Sequence, residues 1–78
     1  MKTVKFLGRA WKSQQQHFLV AELARTVASP AAVTCSPDQD GARPCWTCIV
    51  GPHRGYGYSM WEAVARAAMA AEVYYYGA

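Results

Sequence analysis

Charge is scarce in this chain: Lys, Arg, Asp and Glu make up 17% of its 78 residues, against 53% hydrophobic. That balance excludes a disordered polyelectrolyte. Six glycines and four prolines are too few for a collagen-like or low-complexity chain. Three cysteines, an odd number, fit a reducing compartment better than a secreted disulfide framework. Nowhere do the ~18–20 consecutive apolar residues of a membrane-spanning helix occur. The stretch from Val4 to Leu7 is interrupted by Lys5 and is too short for a signal-peptide core, so the expectation is a cytoplasmic protein away from membranes. The length admits one domain over residues 1–78 and excludes a Rossmann pair, a TIM barrel or a two-lobed kinase. Such a chain buries only ~60% of its unfolded surface, so its stability is marginal.

Large side chains are also in short supply. Fourteen of the forty-one hydrophobic residues are alanine, which leaves core volume to Phe6, Trp11, Phe18, Trp46, Trp61 and some of the tyrosines. The net charge of +3 is uneven. Lys2, Lys5, Arg9 and Lys12 stand in the first twelve residues without an acid, and the remainder carries four bases and five acids. A basic end favours an acidic partner, whether nucleic acid or an acidic protein face. It also serves simply as a solvated edge strand protected from aggregation.

Residues 2–8 alternate, with Val4 and Phe6 on one face and Thr3 and Lys5 on the other, and read as a half-buried strand ending at Gly8. Ser13 and Gln16 form a capping-box pattern ahead of a helix over about 14–27. Its buried stripe is Leu19, Val20, Leu23, Ala24 and Val27, and Ser29-Pro30 stops it. Residues 31–36 and 45–50 read as strands about a turn at 37–41, and 54–58 as a third short strand or glycine-rich turn. Ser59-Met60-Trp61-Glu62 is a second capping box, opening an alanine-rich helix that runs to about Tyr74, with Gly77 as its stop. Glu62 and Arg66 form an i,i+4 pair. The fold class is therefore α+β: a three- to four-stranded antiparallel sheet with two helices on one face, in the order β-α-β-β-(β)-α.

Cys35, Cys45, Cys48 and His53 have the composition of a tetrahedral zinc set. In a regular strand, however, Cys45 and Cys48 point to opposite faces, so the expectation is structural core cysteines and no metal or other cofactor. A redox pair at Cys45 and Cys48 is weaker still, because such sites open a helix. His17 and His53 lack an evident serine and carboxylate, Asp38 and Asp40 read as turn formers, and Gly55-x-Gly57 lacks the rest of a phosphate loop. No catalytic residue is assigned, and the chain is read as a non-enzyme. Arg54, Tyr56 and Tyr58 resemble a stacking platform for bases. Tyr74-Tyr75-Tyr76 is too dense for a core and leaves at least one tyrosine for an interface.

The run Gly55-x-Gly57-x-Ser59-x-x-Glu62-Ala63-x-x-x-Ala67-Ala68 resembles the end of the double-stranded RNA-binding domain, where a glycine-containing third strand enters a serine-capped second helix. The resemblance implies that family's α-β-β-β-α order over roughly residues 17–72. It implies RNA contact as well, but Met60, Trp61 and Val64 stand where the family has phosphate-holding lysines. Gly51-Pro52-His53 also falls one strand later than the family's Gly-Pro-x-His element.

Two functions compete, ahead of a third, a zinc-binding or redox domain, which would need a metal or a low-pKa thiol. In the first, the chain is a binding module that docks on a larger protein or ribonucleoprotein and inhibits or modulates it, as phage-encoded inhibitors such as anti-CRISPRs do. Its contacts are the basic strand, Trp61, Tyr75 and Tyr76. In the second, it binds nucleic acid through Lys2, Lys5, Arg9, Lys12, Arg54, Tyr56 and Tyr58. Surplus aromatics also predict a modest tendency to form a homodimer.

Overall fold

The structure, a computed structural model, describes residues 2–26 and 33–76, with the backbone alone for Tyr75 and Tyr76. The expected features at Val27, Ser29-Pro30, residues 31–32 and Gly77 lie outside the described residues, as do the side chains of Tyr75 and Tyr76. The chain runs β1 (Thr3–Phe6), β2 (Arg9–Lys12), a 3-10 turn (Ser13–Gln15), α1 (Gln16–Thr26), β3 (Val33–Asp40), β4 (Arg43–Val50), β5 (His53–Gly57) and α2 (Met60–Tyr76). It is an α+β fold with two antiparallel sheets, β1-β2 and β3-β4-β5. This corrects the expected single sheet: the N-terminal strand is half of a hairpin.

The hairpin turns at Leu7 and Gly8, with φ of 56° and 70°. Positive φ at both central residues belongs to the turn whose twist matches paired strands. Leucine is a poor occupant of that region. It is held by bonds from outside the turn: the Leu7 amide donates to Glu72 Oε2 on α2 (2.9 Å), and the Trp11 indole donates to the Phe6 carbonyl (3.0 Å). Val4 pairs with Trp11 and Phe6 with Arg9, so one hairpin face carries Val4, Phe6 and Trp11 into the core.

At the first helix, Gln15 rather than Gln16 closes the cap, its Oε1 accepting from the Lys12 amide (2.9 Å). The preceding turn is wound as 3-10, which moves the start of α1 to Gln16. Leu19 and Leu23 are fully buried, as the periodicity predicts. Phe18 is not: at 59% exposure it lies off the stripe, its ring tilted against that of His17.

The expected turn at 37–41 is also corrected. β3 continues through Pro37 and Asp38 to Asp40, and the chain reverses at Gly41, where φ is 63°. β3 is an edge strand, and an edge tolerates proline because one side of the ladder is unpaired.

α2 is the centre of the packing. Trp61, Ala63, Val64, Ala65, Ala67, Ala68 and Ala71 are buried. At 100° per residue they cover more than half the circumference of the helix. It therefore packs on β4 and β5 on one side and on β1 on another. Gly55 and Gly57 make this possible. A Cβ at Gly55 would overlap the Ala63 carbonyl oxygen and the Ala67 amide nitrogen, and one at Gly57 would stand 2.9 Å from the Ala63 nitrogen. Backbone rests against backbone, so small side chains fill a thin core. The Ser59 hydroxyl accepts from the Glu62 amide (3.1 Å), which caps α2 as its sequence predicts. Among the described residues, no helix is long and apolar enough to cross a membrane.

Candidate functional site

Alternation along the strands decides what the three-stranded sheet shows to solvent. Cys48, Val50, Gly55 and Gly57 face α2, so Cys45, Thr47, Ile49, Arg54 and Tyr56 take the other face. Register adds Ser36, Asp38 and Asp40 from β3, since Asp38 pairs with Cys45 and Ser36 with Thr47. On that face Cys45 and Thr47 are buried, while Arg54 and Tyr56 are exposed.

A shallow pocket of about 310 Å³ opens there between Tyr56 and Tyr58, bordered by Asp38, Asp40, Cys45 and Arg66. Both tyrosines are about half exposed, at 49% and 46%. Tyr58 lies just beyond β5 yet lines the same pocket as Tyr56, whereas Arg54 is not part of its lining and meets the Tyr56 hydroxyl from outside it. Each ring is held. Arg54 donates to the Tyr56 hydroxyl (3.2 Å), and Arg66 to the Tyr56 carbonyl (2.8 Å), satisfying an acceptor on the edge strand. The Tyr58 hydroxyl donates to Asp40 Oδ2 (2.8 Å), while the Arg43 guanidinium lies 3.5 Å from the Tyr58 ring centre. Thr47 donates to Asp38 Oδ2 (3.2 Å).

These contacts shift ionisations in a consistent way. The hydrogen bond to Asp40, then its charge, raises the Tyr58 phenol above its ordinary value, with Arg43 opposing. Burial raises the Cys45 thiol, and the Asp38 and Asp40 carboxylates raise it further. The Tyr58 phenol and the Cys45 thiol therefore stay protonated at neutral pH. The arrangement suits recognition of a partner group by shape and hydrogen bonding.

The expected N-terminal residues divide between surfaces. Lys5 and Lys12 are exposed on the outer face of the hairpin, and Lys2 lines a second shallow groove with Lys12 and Trp61. Arg9 is exposed at the rim of the hairpin's other face, its guanidinium 4.0 Å from the Trp11 ring centre, where it lines a third shallow groove with Phe18 and Glu22. Trp61, expected as a docking residue, is 8% exposed and belongs to the core, because α2 needs its volume between the two sheets. Tyr74 is 70% exposed and lies near the His53 ring (5.0 Å).

Cys35 and Cys48 are brought together, 2.9 Å between sulfurs, whereas Cys45 lies on the opposite face of β4. The four residues of the zinc pattern therefore do not converge, and among the described residues no three metal-ligating side chains cluster. Sequence reasoning missed Asp38, Asp40 and Arg66 as members of the tyrosine pocket, and Arg43 as the cation over the Tyr58 ring. The signal was present for the β3 pair: once β3 is extended through Pro37, even-numbered residues share the face of Tyr56.

Comparison with protein families, curated proteins and solved structures yields no match to this chain.

Proposed function

We propose that the chain is a non-enzymatic binding module that docks on a larger protein or ribonucleoprotein complex through the outer face of β3–β5 and modulates it by occlusion. The observation that carries this reading is the pair of half-exposed tyrosines, Tyr56 and Tyr58, each held in place by a neighbouring arginine. Tyrosine offers a large contact area with few rotatable bonds and is favoured at interface hot spots. Holding the rings before binding removes part of the ordering cost that weakens flexible contacts. Asp38 and Asp40 beside the rings suit a partner that presents a basic group there. Inhibition of a ribonucleoprotein, in the manner of an anti-CRISPR, is the narrower form of this proposal. The cytoplasmic setting belongs to it too, on the odd cysteine count.

A second reading, direct contact with nucleic acid, is favoured by Lys5 and Lys12 on the outer face of the hairpin, with Lys2 beside Lys12. The acids on the tyrosine face weigh against phosphate there.

Affinity capture from a lysate of the source organism, run beside gel shifts with duplex RNA, duplex DNA and single strands over a salt series, separates the two. The docking reading expects a partner captured by wild type and by Lys5→Ala/Lys12→Ala but lost with Tyr56→Ala/Tyr58→Ala, and no gel shift at low salt. A shift that weakens steeply with salt and disappears in the lysine variant overturns it in favour of nucleic acid.

A further inference from the structure

Cys35 and Cys48 are directly opposed across the β3–β4 ladder, and both are free thiols. Opposed residues in an antiparallel pair have Cα atoms about 4.5–5.5 Å apart, inside the range a disulfide spans. Their sulfurs are already at 2.9 Å, and Cys48 is fully buried while Cys35 is partly accessible. Cys45 points to the other side of the sheet and cannot compete.

We propose that Cys35 and Cys48 are a redox-modifiable dithiol, converted to a cross-strand disulfide by exchange with a small disulfide such as glutathione disulfide. The Cys35 thiolate attacks one sulfur of the small disulfide, forming a mixed disulfide and releasing one thiolate. The Cys48 sulfur then attacks Cys35 Sγ, the new Cys35–Cys48 bond forms, and the second small thiolate leaves with the Cys48 proton. The protein loses two electrons and two protons, and one small disulfide becomes two thiols.

The two thiols are unequal in the way this sequence requires. The hydrogen bond with Cys48 lowers the Cys35 thiol below its ordinary value against the opposing effect of burial. Cys48 is raised by the same bond, by burial and by the Cys35 charge, so it keeps the shared proton. The accessible sulfur is thus the nucleophile and the buried one resolves it. The product staples β3, a mostly exposed edge strand, to the strand that carries the centre of the docking face. Asp38 and Asp40 ride on β3, so oxidation restrains one wall of the tyrosine pocket. This proposal stands independently of what that pocket binds.

The test treats reduced, desalted full-length chain with glutathione disulfide, then unfolds and alkylates it. The expected product is lighter by two hydrogens, carries one alkylated cysteine, Cys45, and gives a peptide map joining Cys35 to Cys48. Its melting temperature is higher by about 10 °C or more, since closing a loop of this length restricts the unfolded chain. Cys45→Ser behaves identically, whereas Cys48→Ser stops at a glutathione adduct on Cys35. Three alkylatable thiols after prolonged exposure, or a bond mapped to Cys45, would overturn the proposal. Should Cys48→Ser fail to fold, the Cys45→Ser result and the peptide map still decide it.

Discussion

Replacing Gly55 with alanine adds one methyl group and is expected to be among the most damaging single changes in this molecule. Gly55 lies within β5 and its φ is not positive, so alanine meets no backbone penalty there. The whole effect is steric. The new Cβ would overlap the Ala63 carbonyl oxygen and the Ala67 nitrogen, both backbone atoms of α2 that cannot rotate away. Restoring van der Waals contact requires α2 to retreat from the sheet by roughly 1 Å, and a gap of that size forfeits up to half of each dispersion contact across the interface. Ala63, Ala67 and Cys48, all fully buried, lose contact together. Overpacking of this kind costs about 3 kcal/mol. In a domain this small that lowers the melting temperature by roughly 12–24 °C. Thermal melts by circular dichroism, with urea titration for the free energy, measure it. Gly41→Ala is the control: its φ is 63° and nothing lies within 4 Å of a Cβ there, so only the backbone penalty of about 1 kcal/mol applies. If Gly55→Ala melts no lower than Gly41→Ala, the close approach of α2 to β5 is not what holds the fold.

Other consequences are open to measurement. Trp11→Ala, at a position 2% exposed, is expected to cost about 3–5 kcal/mol and to unfold the chain at ambient temperature, whereas Phe18→Ala should stay within about 0.5 kcal/mol of wild type by the same melts. Glu72→Ala removes the acceptor of the Leu7 amide and should cost about 1–2 kcal/mol, with faster hydrogen exchange confined to β1 and β2. A phenol whose pKa is raised by folding contributes stability that is complete below its unfolded value near 10 and is lost as pH climbs through the folded value. Tyr58 is such a group, so alkaline stability should fall, and ultraviolet titration should show a late tyrosinate component that moves back toward 10 in Asp40→Ala. An unchanged titration in that variant would contradict the Tyr58–Asp40 bond.

Much of the fold was legible because it is written in short-range terms. Leu19 and Leu23 repeat at helical spacing and are buried, Ser59 caps α2 at its Glu62 amide, and alternation alone put Cys45 and Cys48 on opposite sides of β4. The candidate site was half legible. Tyr56 and Tyr58 line one pocket and Arg54 meets Tyr56, but Arg43 and Arg66 reach the tyrosines from β4 and α2. No spacing rule joins those positions. The pairing of Cys35 with Cys48 was hidden for the same reason, since it depends on a register fixed by a turn at Gly41 rather than at Pro37 and Asp38.

Local sequence therefore determined the helices, their caps and the alternation of β4, since each depends on bonds or side-chain positions within about four residues. The hairpin at Leu7, the burial of Trp61 and the exposure of Phe18 were tertiary decisions. A leucine is held in a left-handed turn with the help of Glu72, 65 residues away, which binds its amide. Trp61 goes inward because two sheets sandwich an alanine-rich helix that lacks volume and needs its ring, and Phe18 stays outside because Leu19 and Leu23 already fill the α1 side of that core.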